Sequence, residues 1–219
     1  MLDTSFEHEA SNPSDQRRIV PSGRYLASWS VSGRDRGNEA AQAPHGTGSR
    51  LAALLARDGA RVAVADLDPS AAARAAADSG AEVVDPGAVL EEPCDVLSPC
   101  AVGGVLDRDT IPKLRCAAIV GGANNQLADP DGAAALHRRG ILYVPDFVAN
   151  AGGTLAAEAR LEGGPPEAAR AAAAGIGPRV AELLARADAA ARPPLELALE
   201  IARARIAAAR PTVTPEDNP

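Results

Sequence analysis

Cys116-Ala-Ala-Ile-Val-Gly-Gly-Ala-Asn-Asn-Gln-Leu127 and, farther on, Ile141-Leu-Tyr-Val-Pro-Asp-Phe-Val-Ala-Asn-Ala-Gly-Gly153 decide the fold of this chain. Ala117–Val120 and Ile141–Val144 are short apolar runs, each ending in a polar, glycine-rich turn. Runs of this length, bounded by Gly and Pro and separated by a helix-sized segment, read as buried parallel strands. The turns Gly121–Gln126 and Pro145–Gly153 then leave the carboxyl ends of two strands, where open α/β sheets bind ligands. Asn124, Asn125 and Asn150 bring amide donors and acceptors there without charge, which suits a neutral polar group such as a carboxamide. A single Asn in such a place is more simply a helix cap. Three of them, on two adjacent strand ends beside glycine pairs, point to a binding role.

Working outward, strands and helices alternate from residue 46 to 150. Leu51, Leu54 and Leu55 predict a helix over about 49–57, capped by Ser49 and stopped by Gly59. Arg61–Asp66 is a strand, and Asp68 or Ser70 caps an Ala-rich helix that ends at Gly80. Further strands are expected at 81–84 and 95–98, with helical turns at 86–91 and 110–114 and a helix at 129–139. After Gly153 the chain reads as helices over 154–161, 166–190 and 194–209, with a break or kink at Gly175–Pro178. This order implies an α/β, Rossmann-like, doubly wound and mostly parallel sheet with C-terminal helices.

Residues 1–43 differ. They are polar, hold few apolar residues and show no sustained period, so they read as a disordered or non-homologous arm. Ile19–Val20 and Tyr25–Val31 are its only patches with strand character. Residues 44–210 form the expected domain, and 211–219 a loose tail. With no apolar strand in 37–43, the expectation is that the first strand of the fold is missing. A lost central strand would leave an unpaired edge, with marginal stability or self-association as the result.

The totals exclude several classes. Among 219 residues, 46% are hydrophobic and only 2% aromatic, so the core rests on small aliphatic side chains. A net charge of −7 with no basic block argues against nucleic acid. No apolar run reaches the roughly 20 residues of a membrane span, and the first residues lack a signal-peptide pattern. Three cysteines (Cys94, Cys100, Cys116) without metal spacing read as free thiols in a reducing cytoplasm. Cys100 has no neighbouring His or cation and reads as a packed thiol. Three histidines in no HxxxH pattern give no metal site. Lysine occurs once, at Lys113.

Asp66 closes a strand roughly 20 residues past a glycine turn, the position of a ribose-binding acid in dinucleotide folds. A carboxylate there accepts both ribose hydroxyls and repels a 2′-phosphate, favouring NAD over NADP. The alternative, that Asp66 or Asp68 only caps the next helix, stays open. The glycine turn itself is defective. If Gly48 is its third glycine, Ala43 and His45 stand where the first two belong, and Pro44 removes a donor.

Pro99-Cys-Ala-Val-Gly-Gly104, Gly122-Ala-Asn-Asn-Gln-Leu127 and Pro145-Asp-Phe-Val-Ala-Asn-Ala-Gly-Gly153, in this order and spacing, resemble the cofactor domain of the Glu/Leu/Phe/Val amino-acid dehydrogenases. The leucine, valine and phenylalanine branch is the most similar. The likeness runs from about Gly48 to Ala209. It implies NAD as cofactor and oxidative deamination of a branched-chain or aromatic L-amino acid to a 2-oxo acid and ammonia. It implies that Asp66 holds the adenosine ribose and that Thr47 and Gly48 lie at the pyrophosphate. Ala101, Ala123 and Asn124 would line the nicotinamide side, and Asn150 would stand near the nicotinamide and the substrate cleft. The amino-acid substrate is the implied small-molecule partner, and a homo-oligomer stays open. In the family a separate N-terminal domain carries two lysines that bind substrate and act in catalysis. Residues 1–43 contain no lysine, and Lys113 lies where the family has no catalytic group. The expectation is therefore a truncated or frame-disrupted product, inactive alone. The alternative is a non-catalytic nucleotide-binding or scaffold module acting with another chain.

Overall fold

The computed structural model describes residues 24–28 and 46–209. Six parallel strands form one sheet in the order β3-β2-β1-β4-β5-β6. They are β1 (Arg24–Ser28), β2 (Arg61–Ala65), β3 (Glu82–Val83), β4 (Cys94–Pro99), β5 (Cys116–Ile119) and β6 (Leu142–Tyr143). This is the doubly wound Rossmann order, in which the strand sequence reverses between β1 and β4 and opens a crevice at their carboxyl ends.

The first strand is therefore present, which corrects the expectation that it was lost. Arg24–Ser28 pairs with β2 on one side (Tyr25 opposite Val62, Ala27 opposite Val64) and with β4 on the other (Tyr25 opposite Val96). These five residues belong to the sheet although they fall inside the stretch read as an arm. The partner of β2 is this segment, and residues 37–43 lie outside the described residues. The predicted open edge and the self-association built on it fall with the same observation. The sheet edges are β3 and β6, each two residues long, and short edges give a second chain little to pair with.

The register of β1 is held at its first residue. Arg24 N–H donates to Asp95 Oδ2 at 2.6 Å, and its guanidinium donates to Pro93 O at 3.2 Å. The same guanidinium stands 3.5 Å from Glu82 and 3.9 Å from Glu92. One cation thus links three strands at their amino edge. Tyr25 beside it is buried, and its hydroxyl pKa is pushed up by burial and by the Asp95 carboxylate.

One helix pair packs beside the crevice. α1 (Thr47–Arg57) and α2 (Pro69–Ser79) cover the β1–β3 side. α1 buries Gly48, Ser49 and Ala52, while Leu54 is 57% exposed. The leucine stripe predicted its helicity, but the small residues make its contact face and let it approach the strands. Asp68 caps α2 by accepting from Ser70 N–H at 2.8 Å, and Gly80 ends it at φ 71°. α3 (Gly132–Arg138), α4 (Asp146–Ala149) and α5 (Gly152–Leu161) follow, then α6 (Pro166–Ala174), α7 (Ile176–Ala189) and α8 (Pro194–Ala209). The break between α6 and α7 falls at Gly175, as expected, with Pro178 inside the first turn of α7. α4 was not foreseen.

The core matches the composition. One cluster joins Leu97, Leu106, Leu114, Ile119, Leu136 and Tyr143. A second, of Ala52, Val62, Val64 and Ala75, lies under α1 and α2. Leu183, Ala187, Leu197 and Ala198 lock α7 to α8.

β4 and β5 approach most closely just beyond their ends. A Cβ placed on Gly121 would overlap the Pro99 carbonyl, a backbone atom that cannot swing aside. Gly121→Ala is expected to destabilise the protein by about 3 kcal/mol or more, at or beyond the top of the range for overpacking. Urea unfolding followed by circular dichroism checks this.

Candidate functional site

All seven residues singled out for cofactor contact lie at the carboxyl edge of the sheet or in the helix turns facing it. They fall into two groups on either side of β1 and β4.

The first group is Asp66. Lying just past β2, it is 5% exposed, and its Oδ1 accepts from Asp68 N–H at 2.8 Å. Its Oδ2 is buried without a partner among the described residues. Asp68 takes the capping role, which removes that role from Asp66. Burial pushes the Asp66 carboxyl pKa up, against the lowering effect of the Asp68 amide. A buried carboxylate oxygen with no donor is costly, and it is the atom a ribose hydroxyl would satisfy.

The second group is built on two turns that zip together. The turn after β4 runs from Pro99 to Leu106, and the turn after β5 from Gly121 to Leu127. Ala123 N–H donates to Pro99 O at 2.9 Å, Gly104 N–H to Asn125 O at 2.7 Å, and Leu106 N–H to Gln126 O at 3.0 Å. Ala128 N–H returns to Leu106 O at 3.0 Å. A Cβ on Gly103 would stand 2.7 Å from Asn124 O and 2.8 Å from Asn125 O, so glycine is required there too.

Gln126, which the sequence did not single out, is fully buried beneath this turn. Its Nε2 donates to Gly121 O at 2.9 Å and to Ala123 O at 3.0 Å. Asn125 adopts φ 52°, a conformation Asn tolerates better than most residues. Its N–H donates to Asp146 Oδ2 at 2.7 Å, which ties the turn to α4. Tyr143 O–H donates to the other oxygen of Asp146 at 3.3 Å. Burial, and then the Asp146 carboxylate, push the Tyr143 hydroxyl pKa well up, so it stays a donor.

Asn150 closes the group. Its Nδ2 donates to Asn124 Oδ1 at 2.7 Å and reaches Gly122 O and Ala123 O at 3.3 and 3.4 Å. The two amides foreseen as ligand contacts are thus bonded to each other. Asn124 Nδ2 and Asn150 Oδ1 have no partner among the described residues, which leaves one donor and one acceptor unused. Ala123 is buried under the turn, and Ala101 packs half-buried against the cluster beneath α1 and α2.

Thr47 joins this group across the crevice. A Cβ on Gly122 would lie 3.1 Å from Thr47 Cγ2 and 3.6 Å from Cys100 Sγ. Gly48 is buried in the first turn of α1, and that helix has no side-chain cap among the described residues. Cys100 accepts from Gly122 N–H at 3.4 Å and lies 3.5 Å from Ser98 Oγ, a packed thiol as read. Ala43, Pro44 and His45, the defective part of the glycine turn, lie outside the described residues. Lys113 pairs with Glu91 at 3.2 Å, just before the amino end of β5 and hence at the opposite edge of the sheet. Among the described residues no three His, Cys, Asp or Glu side chains gather as metal ligands. No helix there is long and apolar enough to cross a membrane.

Known proteins share this fold. The family model described as Glutamate/Leucine/Phenylalanine/Valine dehydrogenase matches residues 44–161, more than half of the chain. The chain belongs to this family. Leucine dehydrogenase of Geobacillus stearothermophilus is 42% identical over 101 residues, 46% of this chain and 28% of that protein. Valine dehydrogenase of Streptomyces coelicolor is 38% identical over 167 residues, 75% of this chain and 46% of that one. The crystal structure of L-tryptophan dehydrogenase from Nostoc punctiforme superposes with a TM-score of 0.76 at 28% identity, over 89% of this chain and 54% of that one. The chain thus spans about half or less of the length of these relatives. β1 lies outside the stretch matched by the family model, yet it fills the central strand position.

Two predictions follow from the site's polar groups. Gln126→Leu is expected to cost about 1–3 kcal/mol for each of the two carbonyls left without a donor, read by urea unfolding. For Asp66 the sign is opposite. A carboxyl with a raised folded-state pKa binds its proton more tightly when folded, so its ionisation destabilises the protein above the unfolded pKa. That penalty is relieved as pH falls through the folded pKa. Asp66→Asn is therefore expected to unfold at a higher temperature than the wild type at neutral pH, with the difference shrinking on acidification. Thermal unfolding across pH 7 to 4 measures it.

Proposed function

We propose that this chain is the cofactor-binding part of an NAD-dependent L-amino-acid dehydrogenase, whose reaction is oxidative deamination to a 2-oxo acid and ammonia. The observation that carries the reading is the buried, unpartnered Oδ2 of Asp66 at the carboxyl end of β2. It fits a ribose diol, and its charge disfavours a 2′-phosphate. The first turn of α1, with Thr47 and Gly48, would take the pyrophosphate. The unused Asn124 Nδ2 and Asn150 Oδ1 would meet the carboxamide of the nicotinamide, and Ala101 and Ala123 would flank its ring. When bound, NAD supplies the hydride acceptor. Relatives named leucine, valine and L-tryptophan dehydrogenase support a branched-chain or aromatic substrate.

In this reading the chain by itself does not deaminate. Its one lysine stands at the wrong edge of the sheet and is paired with Glu91. No other lysine in the sequence could clamp a substrate carboxylate or take a proton from the amino group. The location of Lys113 also favours the second reading, a non-catalytic nucleotide-binding module working with another chain. Both readings place the protein in the cytoplasm.

The test is a titration with NAD and NADP, read by calorimetry. NAD is expected to bind weaker than micromolar, because the sequence has Ala43 and His45 where the glycine fingerprint needs glycine, with Pro44 between them. Asp66→Asn is expected to weaken NAD by about tenfold or more, roughly 1.4 kcal/mol. Equal affinity in wild type and variant, or a preference for NADP, would remove Asp66 from the site. No NAD reduction is expected with valine, leucine or phenylalanine. Turnover of any of them by the isolated chain would overturn the reading that it is inactive alone.

A further inference from the structure

The strongest chemistry outside the carboxyl-edge site is at the other end of the same two strands. β4 and β5 are parallel neighbours in which Cys94 stands opposite Cys116. The offset is held by Cys94 N–H donating to Arg115 O at 3.1 Å. Residues paired in this way share one face of the sheet. Neighbouring strands lie about 4.8 Å apart, inside the Cα separation of about 4.4–6.8 Å that a disulfide spans. Both thiols are free and half-buried, and both pack against the main core cluster. The remaining cysteine, Cys100, lies past the carboxyl end of β4, away from the pair.

We propose that Cys94 and Cys116 form a dithiol site at the amino edge of the sheet, which a hydroperoxide oxidises to a cross-strand disulfide. The surroundings divide the roles. The neighbouring Cys94 thiol, and then the Arg139 guanidinium, hold the Cys116 thiol pKa below its ordinary value against the effect of burial. The neighbouring Cys116, together with burial, pushes the Cys94 thiol pKa up, so Cys94 keeps its proton. Arg139 is itself fixed, donating to Ile111 O and Leu114 O. Cys116 is therefore the attacking sulfur and Cys94 the resolving one.

The step balances. The Cys116 thiolate attacks a peroxide oxygen, the O–O bond breaks, and water or an alcohol leaves with a proton from solvent. Cys116 is then a sulfenic acid. The Cys94 sulfur attacks the Cys116 sulfur, the S–S bond forms and the S–O bond breaks. The Cys94 proton leaves with the hydroxide as water. Two electrons pass from the dithiol to the hydroperoxide. The bridge joins the amino ends of strands whose other ends carry the zipped turns, so it stiffens the sheet without requiring those turns to move.

The experiment uses the full 219-residue chain and hydrogen peroxide. Thiols are counted after denaturation, and peptides are mapped by mass spectrometry without reduction. Cleavage after Arg108 and Arg115 separates Cys116 from Cys94. Two of the three thiols are expected to disappear, the intact mass to fall by two hydrogens, and dithiothreitol to reverse both changes. Cys100→Ser is expected to keep the linked peptide, and Cys116→Ala to abolish it while circular dichroism shows an intact fold. Retention of all three thiols would overturn the proposal. So would a sulfinic or sulfonic acid at one cysteine with no linked peptide, or a bridge through Cys100 or between chains. One arginine-bounded peptide carries both Cys94 and Cys100, so tandem fragmentation of the linked wild-type peptide between them decides the question even if a variant misfolds.

Discussion

The candidate site depends on two backbones touching where side chains are forbidden. Gly121 lies so close to the Pro99 carbonyl, and Gly103 to the carbonyls of Asn124 and Asn125, that no Cβ fits at either position. With the side chains removed, the turns after β4 and β5 exchange backbone hydrogen bonds as if the strands continued. Gln126 then satisfies the two carbonyls that this geometry turns inward. At zero exposure both donors of its amide nitrogen are used, while its Oε1 has no partner among the described residues. The result is a rigid floor at the switch point of the sheet, with Asn124 and Asn150 held by each other above it.

The sheet beneath this floor is completed by a segment of unpromising composition. Arg24–Ser28 lies outside the family-matched stretch but sits between β2 and β4, in register with both. A central position in a parallel sheet supplies two rows of backbone partners, and those bonds do not depend on side-chain identity. Arg24 adds electrostatic anchoring through Glu82 and Glu92, and its backbone N–H bonds the Asp95 carboxylate.

The two edges of the sheet carry different chemistry. The carboxyl edge holds the amides, the lone buried carboxylate oxygen of Asp66 and the first turn of α1. The amino edge holds Lys113, Arg24 and the Cys94–Cys116 pair. The dithiol at the amino edge arises from strand register alone.

The sequence by itself determined the elements that rest on local patterning. Apolar runs bounded by Gly and Pro became β2, β4, β5 and β6, and Asp68 and Gly80 bounded α2 as their types require. The apolar run Val62–Ala65 puts Asp66 at a strand end. The tertiary structure alone decided that Tyr25 and its neighbours form the central strand. It also decided that Gly48 and Ala52 rather than Leu54 face the sheet, that Gln126 is the buried clamp, and that Asn124 and Asn150 bond to one another. These facts are pairings between residues distant in the chain. No periodicity within one segment encodes them, because register and close approach are fixed only when strands and turns meet.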